Sequence, residues 1–229
     1  MRIAPNILLT SDPEQYIRMN AVRSRYVKSK WYAGFKLEAN LENTFSCYDE
    51  AKHTLKRSKM ALGYSGKELS NFEAKIDSHV IDLISLIRRK YLTTGANLKP
   101  IDLAEKASFF TLDVITDLAF GHTWGCLQQD KDVDNWFGSM EVFLPLAMRV
   151  ATIPILASLF EVPFIAKLIM PSERDEEGPG RLLRVSRDIV NARFASPEKD
   201  KGRDMLGSFI RRGVPKSELV AESASQMYV

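Results

Sequence analysis

The alternation of apolar and polar positions divides the chain into helices preceded by one short extended segment. Ile7-Leu8-Leu9 is an apolar run bounded by Pro5-Asn6 and Thr10-Ser11, and it predicts a strand. A helix should follow, with Asp12 as its cap and Pro13 at its first position. Between Trp31 and Phe45 no period holds, which predicts an ordered loop before a cap at Ser46 and a helix from Cys47 to about Met60. Ser70-Asn71-Phe72-Glu73 has the form of a capping box. Phe72, Ile76, Val80, Leu83, Ile84, Ile87 and Tyr91 then recur at helical spacing up to the cations Arg88-Arg89-Lys90. Asp102 and Glu105 open a run through Phe109, Leu112, Ile115 and Leu118 that is apolar nearly all round and stops at Gly121. Such a helix belongs at the centre of a core. Further helices are expected over Arg181 to Phe194, Asp204 to Arg212 and Ser217 to Val229. The last has no glycine, proline or cationic final turn, so the sequence is expected to stop inside an element. With few strand signals and no internal repeat, the pattern predicts a mainly α single domain.

The most apolar stretch, Val142 to Met170, is interrupted by Pro145, Arg149, Pro154, Glu161, Pro163 and Lys167. It is too broken to span a bilayer and reads as a buried or interface-seeking region. The amino terminus lacks the charged and apolar blocks of a secretory signal. At 229 residues, 45% hydrophobic and 27% charged, the chain can bury a core, which excludes disordered and collagen-like architectures. The 32 Lys and Arg against 29 Asp and Glu leave a net charge of +3, with the signs interspersed, so no nucleic-acid footprint is expected. Two cysteines, Cys47 and Cys126, are too few for a disulfide framework and lie outside any Cys/His cluster, which fits a reducing compartment and argues against structural zinc.

Candidate chemistry is sparse. His53 and Arg57 lie four residues apart on a predicted helix, where their side chains share a face and could grip an anion together. By spacing alone, with Lys52, Lys56 and Lys59 nearby, the pair also reads as part of a solvated basic face. Asp130 to Glu141 has the spacing of a calcium-binding loop, but Asn135 replaces the turn glycine and no second loop exists, so an acidic surface loop is the expectation. His79 reads as a packed or partly exposed histidine beside an apolar stripe. No Ser/His/Asp set, Walker loop or dinucleotide glycine fingerprint is present.

Arg2-Ile3-Ala4-Pro5-Asn6, Ser11-Asp12-Pro13, Arg23-Ser24, Trp31-Tyr32, Phe45-Ser46, Asp49-Glu50-Ala51-Lys52-His53 to Arg57, and Gly63-Tyr64-Ser65-Gly66-Lys67-Glu68 follow one another along the chain. Taken in this order, they resemble a fungal cytochrome P-450 of the biosynthetic, pisatin-demethylase-like kind. The resemblance continues through Asp102-Leu103, Thr111 to Gly121 and Asp204 to Ile210. It implies the N-terminal part of the P-450 fold: a short β strand at the start, then helices B to the beginning of I. Residues 1–229 would form a partial domain cut within the I helix. Cys47 to Met60 would be the C helix, with His53 and Arg57 at the family's W-x-x-x-R positions, His replacing Trp, and their implied role is to bind haem propionates. Phe72 to Tyr91 and Asp102 to Phe120 would be the D and E helices. Val142 to Met170 would be the F–G region over a substrate channel, its apolar surface serving peripheral membrane contact or substrate entry.

For a full-length member the resemblance implies haem as cofactor. It also implies an NADPH-dependent reductase and an apolar small molecule as partners, one oxygen atom inserted into that molecule, and a place at the endoplasmic reticulum membrane surface. The sequence departs from the family's pattern where the chemistry is done. A haem-thiolate loop would want a glycine two places after Cys126 and a basic residue two before it, where Gln128 and Trp124 stand. No Glu-x-x-Arg and no threonine after Thr152 occur, and no N-terminal anchor is readable. The expectation is a haem-positioning fragment with no catalytic residue or metal ligand of its own, inactive alone and cytoplasmic if expressed as is. A non-catalytic helical remnant or interaction module is the other reading.

Overall fold

The structure is a computed structural model and describes residues 1–38, 41–95, 97–153, 171–172, 174–195 and 204–227. Most of the expected F–G region, 154–170, and the last two residues of the expected final helix lie outside the described residues.

The opening is a hairpin rather than one strand. β1 (Arg2–Ala4) pairs antiparallel with β2 (Ile7–Leu8), Arg2 opposite Leu8 and Ala4 opposite Ile7. Pro5-Asn6, which bounds the apolar run in sequence, is the turn, and Arg2-Ile3-Ala4 is too short to show a strand pattern. α1 (Pro13–Asn20) begins as expected, Asp12 Oδ1 accepting the Glu14 N–H at 2.9 Å, but it buries no side chain. A 3₁₀ turn over Lys30–Phe35 occupies the segment read as loop.

α2 (Glu50–Tyr64) is capped by Asp49, whose Oδ1 accepts the Lys52 N–H at 2.9 Å. The cap expected at Ser46 is not formed, because Ser46 is taken by a reciprocal pair with Asn43. Its N–H donates to Asn43 Oδ1 at 2.7 Å, and its Oγ accepts the Asn43 N–H at 3.2 Å. The helix therefore starts three residues later than expected and runs four further. α3 (Phe72–Leu86) starts from Asn71 at φ 54° with no side-chain cap, so the Ser70–Glu73 box does not form, and the helix continues into a π turn over Ile87–Tyr91. Within its apolar stripe Phe72, Val80 and Ile84 remain exposed, while His79 and Leu86 are buried.

α4 (Leu103–Phe120) is the central helix the pattern describes. Asp102 caps it through the Glu105 N–H, Gly121 closes it at φ 79°, and Phe109, Leu112, Ala119 and Phe120 are all but inaccessible. The short α5 (Cys126–Gln129) follows, and Asp113 of α4 receives the N–H groups of Gly125, Cys126 and Leu127 at 2.6, 3.1 and 2.9 Å. α6 (Trp136–Thr152) starts on Asp132, which accepts three N–H groups, and passes through Pro145, which the sequence read as a break. Pro145 removes one helical hydrogen bond at a cost of about 3 kcal/mol, and the buried Met140, Ala147, Val150 and Ala151 on either side hold the helix across the gap.

α7 (Gly178–Ala195), α8 (Met205–Arg211) and α9 (Lys216–Gln226) complete the described fold. Asp204 caps α8 through the Gly207 N–H and pairs with Arg193 of α7 at 2.7 Å. Leu182, Leu183 and Val190 of α7, Leu206 and Phe209 of α8, and Leu219, Val220 and Ala224 of α9 close on Met60 of α2 and on α4 to form one core. Each fully buried large side chain contributes about 1.5–3 kcal/mol.

Candidate functional site

α2, the 43–46 turn, the 3₁₀ turn, α6 and α9 enclose a cleft of about 570 Å³. Phe35, Phe45, Leu144 and the ring of Tyr64 give it an aromatic and aliphatic wall. Three cation-forming side chains, Lys28, His53 and Arg57, line it as well, with Glu222 as its single acid.

His53 and Arg57, paired by sequence on one helical face, do open on the same space. Arg57 is exposed, and its guanidinium makes no ion pair among the described residues. Burial, then the cations of Lys28 and Arg57, push the His53 imidazole below its usual range, so it stands neutral at pH 7 with one ring N–H to donate. Lys28 Nζ donates to the carbonyls of Thr44 and Phe45 at 3.0 and 3.2 Å and sits 5.2 Å from the Tyr32 ring centroid. Burial lowers its pKa also, with Arg57 adding in the same direction. Cations pressed together in this way favour an incoming anion over an empty cleft.

On the opposite wall the carboxylate of Glu222 is surrounded by donors. Thr44 gives its N–H at 2.8 Å and its hydroxyl at 2.9 Å to Oε2, and the Tyr64 hydroxyl donates to Oε1. Desolvation and the facing carboxylate hold the Tyr64 phenol protonated well above its usual range. The lysines expected beside His53 turn away from it. Lys52, Lys56 and Lys59 line a separate cleft with Lys36, where Lys56 meets Glu218 at 3.3 Å. The face that sequence spacing read as uniformly basic is thus divided between two clefts.

The other sequence candidates fall into structural roles. Both cysteines are buried and neither lines the cleft, and burial pushes the Cys126 thiol up to about 12. Within the calcium-like loop, Asp130 is held by Lys106 at 2.8 Å and Lys90 at 2.9 Å, Asp132 caps α6, and Asp134 pairs with Arg181 at 2.7 Å. Among the described residues no group of three or more His, Cys, Asp or Glu could hold a metal ion. His79 is packed, its Nε2 3.3 Å from Asp117. No described helix is long and apolar enough to cross a membrane.

Sequence reasoning found two of the cleft's polar residues and missed Lys28, Thr44, Tyr64 and Glu222. Tyr64 was within reach, since it stands seven residues beyond Arg57 on the same face of α2. Lys28, Thr44 and Glu222 come from distant segments and carry no local signal.

The arrangement suits a molecule with an apolar body and an anionic group, and its volume falls in the range of about 300–1,000 Å³ usual for ligand sites. No family model matches the chain. Over 230 aligned residues, 99% of its length, the chain is 34% identical to the cytochrome P450 monooxygenase ABA1 of Pyricularia oryzae and covers 45% of that protein. It is 34% identical over 227 residues, 97% of its length, to the cytochrome P450 monooxygenase aba1 of Botryotinia fuckeliana, covering 44% of it. To the cytochrome P450 monooxygenase abl1 of Leptosphaeria maculans it is 32% identical over 224 residues, covering 39%. The chain spans less than half the length of these relatives.

Proposed function

We infer that this chain, which belongs to the cytochrome P450 monooxygenase family over the part of its relatives that it spans, forms the carboxylate-binding side of a haem site. The parent activity is a haem-dependent oxidation of an apolar small molecule in fungal secondary metabolism, of the pisatin-demethylase-like kind. Haem supplies the iron at which one oxygen atom from dioxygen is transferred.

One observation carries this reading: His53 and Arg57, the latter without an ion pair among the described residues, open one helical turn apart on a cleft walled by aromatic side chains. Arg57 would take a propionate through its planar fork of donors, and neutral His53 would give an N–H to the same or the neighbouring carboxylate. Lys28 stands close enough in the cleft to lend a second positive charge beside that of Arg57. Phe35, Phe45 and Leu144 would cover the apolar body and exclude water from it. Since neither cysteine of this chain reaches the cleft, the residues described here position the group and do not perform its chemistry, and the chain by itself is proposed to be inactive. An NADPH-dependent reductase, an apolar substrate and a peripheral place at the endoplasmic reticulum surface are proposed for the full-length protein on the family relationship.

The test is a titration of the 229-residue chain with haemin and with haemin dimethyl ester, whose carboxylates are masked. Haemin should bind at least about ten-fold more tightly than the ester, and Arg57→Ala should remove most of that difference while Arg57→Lys restores part of it. Equal affinity for the two compounds would sink the reading.

A further inference from the structure

Glu222 is 2% exposed, and a buried carboxylate is stable only where donors or countercharges surround it. Its donors come from two separate parts of the cleft: the N–H and hydroxyl of Thr44 in the 43–46 turn, and the phenol of Tyr64 at the end of α2. The turn is held from its other side by Lys28, whose ammonium binds the Thr44 and Phe45 carbonyls. Internally it is closed by the Asn43–Ser46 pair and by the Cys47 N–H on the Asn43 carbonyl at 3.1 Å. One helical turn before Glu222, Glu218 of α9 meets Lys56 of α2. Two acids on one face of α9 therefore dock it along α2, and only Glu222 also reaches the turn.

We propose that Glu222 is a positioning residue for the cleft: its carboxylate latches the 43–46 turn to α2 and α9 and so fixes where Lys28, His53 and Arg57 meet an anionic ligand. The inference rests on the cleft being the carboxylate end of the haem site, and it adds a residue that need not touch the ligand. The latch is charge-assisted at each of its three bonds, which makes it stronger than a set of neutral contacts of the same geometry. It acts on the rim in two ways. Mechanically, losing it frees the carbonyls that seat Lys28. Electrostatically, its negative charge offsets the repulsion between Lys28 and Arg57 within one cleft and acts on the His53 imidazole only through its titration.

Glu222→Gln keeps the shape and an acceptor oxygen for Thr44 while removing the charge. Tyr64→Phe removes one bond and keeps the charge. Three readouts on the 229-residue chain decide the matter: hydrogen exchange of the Thr44 amide, haemin affinity from quenching of Trp31 fluorescence, and NMR titration of His53. In Glu222→Gln the Thr44 amide should exchange about ten-fold faster and haemin should bind about ten-fold more weakly, with the far-UV circular dichroism unchanged. The His53 titration should also move down, because the charges facing the imidazole are then Lys28, Arg57 and Glu50, without Glu222. That displacement is one a merely structural role would not produce. Tyr64→Phe should loosen the turn without moving the His53 titration.

Unchanged Thr44 exchange in Glu222→Gln overturns the latch whatever haemin does. Faster exchange with unchanged haemin affinity overturns the claim that the latch positions the rim. Should the parent chain leave haemin unbound, the haem reading of the cleft fails by itself, and the exchange and titration results still decide whether Glu222 holds the turn and sets the charge of the rim.

Discussion

At the scale of single residues, the chain protects its buried carboxylates by surrounding each with donors, and Asp130 shows the consequence for stability. Burial alone would raise its pKa. Hydrogen bonds from Lys106, Lys90 and Tyr91 outweigh that and hold it at about 2, below the ordinary 3.8. A carboxylate whose folded-state pKa is depressed contributes stability that is complete above its unfolded pKa and is lost as pH falls through the folded value. The melting temperature of the chain should therefore drop between about pH 4 and pH 2. Asp130→Asn should start roughly 5 °C lower at pH 7 and show a shallower drop across the same interval, as followed by circular dichroism melts. A variant with the parent's acid profile would show that the cluster over α4 contributes nothing at that pH.

At the scale of elements, the site depends on how closely the 3₁₀ turn approaches α6. A Cβ on Gly34 would stand 2.6 Å from the Cβ and 2.8 Å from the Cα of Ala151, and a backbone atom cannot swing aside. Gly34→Ala should push the turn, which carries Phe35, away from the helix that carries Leu144, costing about 1–3 kcal/mol in urea unfolding and widening the cleft between those two walls. Most of these elements were legible in the sequence, because capping chemistry and helical period are local. Asp12 and Asp102 each cap the helix they were expected to cap, and the helix expected from Asp204 forms with Asp204 as its cap. Where the reading failed, a competing partner intervened. Ser46 was expected as the cap, but Asn43 holds it and Asp49 caps instead, and Pro145 read as an interruption of the apolar run because the packing that carries α6 past it is tertiary. The β1 strand was lost for the opposite reason, having too few residues to form any pattern. The site was half legible: His53 and Arg57 share a local spacing, whereas Lys28 and Glu222 come to the cleft from segments nearly two hundred residues apart.

At the scale of the whole molecule, the proposed haem-positioning role is separate from any catalytic chemistry of the chain's own residues. The cationic rim and apolar wall are built from described residues, while both thiols are enclosed elsewhere in the core. The chain reconstituted with haemin and supplied with an NADPH-dependent reductase should bind the cofactor and yield no oxygenated product, measured by substrate consumption against a haemin-only control. Turnover above that control would overturn the assignment of a positioning role alone.

The bonds between Thr44 and Glu222 join residues 178 positions apart, and this separation orders events in time. A ribosome adding about 5–20 residues per second would deliver the second partner roughly 10–40 s after the first. Lys28 is synthesised before Thr44, and His53 and Arg57 soon after it, so the nascent chain displays these side chains long before α9 arrives to seat the turn beside them. Closing so long a loop is also entropically among the more costly steps in the fold. The cleft is therefore a late product of synthesis, and a ligand that needs the finished rim would be captured only after the last described helix has emerged.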